Sequence, residues 1–95
     1  MNRIQRTLEL SNHALVLLEE EIRRHDQGTG TVGTLPQLLE CKRQLREMIT
    51  QVETGKVPSR AERLYGMGHM VADSWPLTTE LGEALLAAEQ AYRAL

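Results

Sequence analysis

Apolar residues in this chain recur at three- and four-residue steps almost from end to end, and nowhere do they alternate with polar residues long enough to build a half-buried strand. Two capping boxes punctuate that pattern. Thr34-Leu35-Pro36-Gln37 and Ser59-Arg60-Ala61-Glu62 each place a hydroxyl residue three positions before a Gln or Glu, the spacing that satisfies free amides at a helix start. The fold this predicts is all-α: a small antiparallel helical bundle of about four helices, with residues 1–95 as one domain. A chain of 95 residues builds a single core, and 15 Leu against no Phe, one Trp and two Tyr make that core aliphatic.

The first helix is expected from about Arg3 to Arg24, with Ile4, Leu8, Leu15, Leu18 and Ile22 as its apolar stripe and Leu10, Ala14 and Leu17 widening it. Glu19 to Arg23 and Glu20 to Arg24 are favourable i,i+4 pairs, so Glu19-Glu20-Glu21 reads first as a partly neutralised, solvated face. A glycine-rich connection, Gly28 to Gly33, precedes the second helix, which Thr34 starts and Gly55 with Pro58 stops. Ser59 and Glu62 start a shorter third helix through Val71, with Gly66 and Gly68 spaced for close approach of a neighbouring backbone. Pro76 forces a turn at Trp75, after which Thr78 or Thr79 caps a last helix whose stripe is Leu81, Leu85, Ala88, Tyr92 and Leu95.

Little in the residues points to chemistry. Gly28-x-Gly30-x-x-Gly33 has the spacing of a dinucleotide-binding loop, but a helix precedes it and there is no parallel strand to form the crevice, so it reads as a helix–helix connection. His69 and Asp73 stand four residues apart, which would put two potential ligands on one helix face, but two ligands fall short of the three or four zinc requires. His13 and His25, four residues after Glu9 and Glu21, read as surface pairs. Cys41 excludes an intramolecular disulfide and sits mid-helix, where packing rather than nucleophilic catalysis is expected. The expectations are accordingly no enzyme, no cofactor and no metal.

Net charge is −2, yet it is unevenly spread: residues 64–95 hold one base against four acids. No stretch gathers the Lys and Arg that phosphate neutralisation along a nucleic acid needs, and no segment is long and apolar enough for a membrane. The expected location is cytoplasmic and the expected partner a protein with a cationic surface. Trp75 has two readings here, an exposed anchor for that partner or a plug folded into one end of the bundle.

From Arg63-Leu64 through Val71, Asp73 and Glu80-Leu81-x-x-Ala84-Leu85, the chain resembles a family of bacterial type VI secretion immunity proteins. Leu38-Leu39, Gln44-Leu45 and Ile49 are similar to that family's second helix. The glycine-rich loop and the Trp75-Pro76 turn have no place in its pattern. The resemblance implies a small all-helical cytosolic protein that binds a cognate effector toxin degrading NAD or NADP and covers its active site. On that reading Asp73, Trp75 and Glu80 are the expected central contacts, with Glu19 and Glu20 secondary; these five are inferred from local sequence rather than from a family motif. The alternative is a helical dimerisation or adaptor module, with weak self-association through an exposed apolar stripe.

Overall fold

The computed structural model describes residues 2–63, 66, 67, 71, 75 and 79–95. Among these lie three α-helices, α1 (Arg3–Asp26), α2 (Leu35–Thr54) and α3 (Glu80–Arg93), with one 3-10 turn at Arg60–Glu62. Each helix begins where a short polar side chain captures a free amide. The Asn2 carboxamide oxygen accepts from the Gln5 amide at 2.7 Å, and the Thr79 hydroxyl accepts from Gly82 at 3.1 Å. Thr34 and Gln37 close the reciprocal box at the head of α2, at 3.4 and 3.0 Å. Gly55, in the left-handed region at φ 70°, ends α2.

The all-α class stands, but the described residues contain three α-helices rather than about four. Ser59 makes no side-chain cap, and the run expected after it opens as a 3-10 turn, Arg60–Glu62, that leaves helical geometry at Arg63; Met67 and Val71 are helical again, and the rest of the expected third helix lies outside the described residues. The cause of the break is the Arg63 side chain. Its guanidinium is buried, donates to the Pro58 carbonyl at 2.6 Å, and reaches the Tyr92 and Arg93 carbonyls at the end of α3, both at 3.5 Å. It also lies 5.9 Å from the centre of the Tyr92 ring. Free carbonyls at a helix C-terminus attract a cation, and continuing the helix through Arg63 would carry that cation away. Met67 and Val71, further along the same segment, are both in the core.

Helix α1 is central. It packs along both α2 and α3, while α2 and α3 meet through longer side chains such as the Tyr92 hydroxyl, which donates to Gln51. Residues near the start of α1 border the end of α3, and residues near its end border the start of α3, so α1 is antiparallel to α3 as it is to α2. Its buried seam is Thr7, Ser11, Ala14, Leu18 and Glu21. This differs from the expected stripe by a small rotation, leaving Ile4 54% exposed. Packing two neighbours explains the difference: small residues on the seam admit close helices on both sides, while Leu8, Leu10, Leu15, Leu17 and Ile22 fill the flanks half-buried.

The last helix buries Leu81, Leu85, Ala88 and Tyr92 as its spacing predicted. No described helix is long and apolar enough to cross a membrane.

Candidate functional site

Glutamate 21 sits at the buried position three residues after Leu18, where an apolar side chain would ordinarily complete the seam. It is 2% exposed, and the glycine-rich loop folds back to satisfy it. One carboxylate oxygen accepts the Thr31 and Val32 amides at 2.8 and 3.0 Å; the other accepts from Arg24 at 3.0 Å. Burial by itself raises the pKa of this carboxyl. The two amides, the Arg24 guanidinium and the nearby His25 ring outweigh it and hold the group below the usual carboxylate range.

His25 completes the knot. Its Nε2 lies 2.9 Å from the Val32 carbonyl and 3.2 Å from the Glu21 carboxylate, two acceptors, so that nitrogen carries a proton directed at both. Gly30 is required because a Cβ there would stand 2.2 Å from the imidazole. Gly33 is required twice over: its φ is +64°, and a Cβ would stand 2.6 Å from the Trp75 indole nitrogen. Two of the three glycines that mimic a nucleotide fingerprint thus admit rings of the chain itself, and the third, Gly28, takes a left-handed φ of +76°.

Of the two readings of Trp75, the structure displays the plug. The side chain is 4% exposed, and its Nε1 donates to Gln37 Oε1 at 3.1 Å, the same oxygen that accepts the Thr34 amide. It therefore offers no exposed anchor. Asp73 lies outside the described residues, as do His69 and Thr78.

Two of the remaining expected contacts do come together. Glu20, on the last turns of α1, and Glu80, in the first turn of α3, border one open groove of about 270 Å³ whose walls include Leu17, Arg24, Val32 and Leu81. Glu80 is exposed. At a helix start its carboxylate also interacts favourably with the free amides. Glu20 is held loosely by Arg24 at 3.9 Å, its side chain 41% exposed. Glu19 does not border the groove.

Elsewhere the reactive residue types are committed. Cys41 is fully buried, and burial first, with Glu40 and Glu89 adding to it, pushes its thiol up to about 12, far from a nucleophilic thiolate. Arg43, on α2, pairs with Glu40 at 2.7 Å and Glu47 at 3.1 Å of its own helix. That pairing lowers Glu40 to about 2. No group of three or more metal-ligating side chains occurs among the described residues.

The Glu21–His25 pair expected from the i,i+4 spacing is formed, but sequence reasoning read it as a surface pair on a solvated face and missed the burial of Glu21 beneath the loop. The available signal was register: Ala14, Leu18 and Glu21 continue one face at helical spacing. No family model matches the chain, and no curated protein matches it.

Proposed function

We propose that the chain is an immunity-type inhibitor, which binds a cognate secreted toxin domain in the cytoplasm of the producing cell and blocks an active site that consumes NAD or NADP. The observation that carries this reading is the groove where Glu20 and Glu80, from two different helices, stand around a mixed lining that includes Leu17, Arg24, Thr31, Val32 and Leu81. Carboxylates so placed complement basic groups that a dinucleotide-consuming enzyme uses for phosphate, and an occluding protein needs no chemistry of its own. The loop locked onto Glu21 stiffens the wall beside these carboxylates, which reduces the ordering cost of binding. The resemblance supplies the partner class.

The adaptor alternative draws less support. Among the described residues the exposed large apolar ones are Ile4, Val16 and Leu39, and the first two stand about 18 Å apart along α1 rather than forming one patch.

The test uses the neighbouring gene's secreted toxin domain and the double variant Glu20→Gln, Glu80→Gln. At low salt the association rate should fall about tenfold relative to wild type, and the wild-type rate should itself drop steeply as ionic strength rises. Wild-type protein should also stop NAD consumption by the toxin. An unchanged rate in the double variant removes the groove from the interface, and undiminished NAD consumption removes the inhibitor reading.

A further inference from the structure

We propose that the opposite end of α1 carries a binding site for a compact polyanion of the phosphate ester or pyrophosphate class. A cleft of about 410 Å³ lies there between the start of α1 and the end of α3, lined by Arg3, Arg6, Thr7, Arg60, Ala91 and Ala94. Three guanidinium groups border it, and no carboxylate does.

The surroundings do not account for these cations. No ion pair joins Arg3, Arg6 or Arg60 to a carboxylate among the described residues, whereas Arg24 and Arg43 are paired with acids of their own helices. Arg3 and Arg6 stand in the opening turns of α1, which has no acid in its first turn. Cations there face the positive end of the helix dipole and are disfavoured unless a ligand compensates them. Arg60 is held toward the cleft by donating to the Ala94 carbonyl at 3.2 Å.

The floor narrows the class of ligand. Thr7 is buried with its hydroxyl turned back to the Arg3 carbonyl at 2.8 Å, so Thr7, Ala91 and Ala94 present small surfaces and little hydrogen bonding. Recognition is left to the guanidinium rim. Guanidinium forks match phosphate oxygens in pairs, and three of them balance the multiple charge of a phosphate or pyrophosphate rather than that of a single carboxylate. The cleft exceeds the size of one phosphate, leaving room for an organic substituent.

This site lies at the other end of α1 from the Glu20–Glu80 groove and stands or falls without it. The experiment is a titration of the isotope-labelled protein with inorganic pyrophosphate at constant ionic strength, followed by amide resonances. Saturable shifts are expected at residues 3, 6, 7, 60, 91 and 94. Arg6→Gln should weaken the apparent affinity about tenfold, as loss of a charge-assisted contact does. Arg46→Gln, on an exposed face of α2 outside the cleft, should stay within about twofold of wild type. Arg3→Gln takes the place of Arg6→Gln if that variant loses its dispersed spectrum. Shifts that grow without saturating, equal weakening by Arg46→Gln, or wild-type affinity in the cleft variants would each overturn the proposal.

Discussion

A carboxylate drawn below its ordinary pKa inside a fold ties stability to pH, and Glu21 is the buried carboxylate that does so here among the described residues. Because the folded-state value is depressed, its contribution is fully present above the ordinary carboxylate pKa of 4.5 and is lost as pH falls through the folded value. Removing the side chain leaves the Thr31 and Val32 amides without their acceptor. Glu21→Ala should therefore cost about 2–3 kcal/mol in urea unfolding at pH 7. Glu21→Gln, which keeps one acceptor oxygen but no charge, should cost less, and its gap from wild type should close as pH falls through the depressed folded-state value of Glu21. A gap that persists in acid would mean that the charge contributes nothing. The position of Glu21 on the buried face was legible from its spacing after Leu18. That loop amides eleven residues on would return to it was not, because no local pattern encodes where a glycine-rich loop closes.

Helix ends show how the same signal yields different elements. Thr34 with Gln37 opens a 20-residue helix, whereas Ser59 with Glu62 opens one turn. A capping box satisfies amides at a start; whether the helix continues depends on what the following residues bury. After Thr34 come Leu38, Cys41, Leu45 and Met48, all in the core, while after Ser59 comes Arg63, drawn to the carbonyls of α3. Arg63 is thus a C-terminal cap contributed from a different element. Arg63→Ala should destabilise the protein by about 1.5–3 kcal/mol. Arg63→Lys should recover only part of that, since one ammonium does not span the Pro58 carbonyl and the end of α3 as the planar fork does. Urea midpoints of the two variants decide the matter: full rescue by Lys would show that charge alone matters.

At the scale of the molecule, the core joins all three helices to Met67, Val71 and Trp75 from the connecting segment, and Cys41 lies within it. Reaction of that thiol with a water-soluble disulfide reagent should accordingly be negligible in the native state and proceed at the rate of global opening as urea is added. Rapid labelling of folded protein would place Cys41 outside the core described here. Arg3, Arg6 and Arg60 border the cleft at one end of α1, whereas Glu20 and Glu80 share the groove at the other with Arg24. Helical class, the extent of α2, the stripe of α3 and the burial of Leu18, Leu38, Leu45, Leu81 and Leu85 followed from spacing and caps alone, because helix formation is governed by neighbours three and four residues apart. Tertiary structure decided the rotation of α1 between two partners, the break at Arg63 after Ser59, the inward turn of Trp75 and the meeting of Glu20 and Glu80 at one groove. Each of these depends on which distant surface an element meets, and that is set by packing the whole chain.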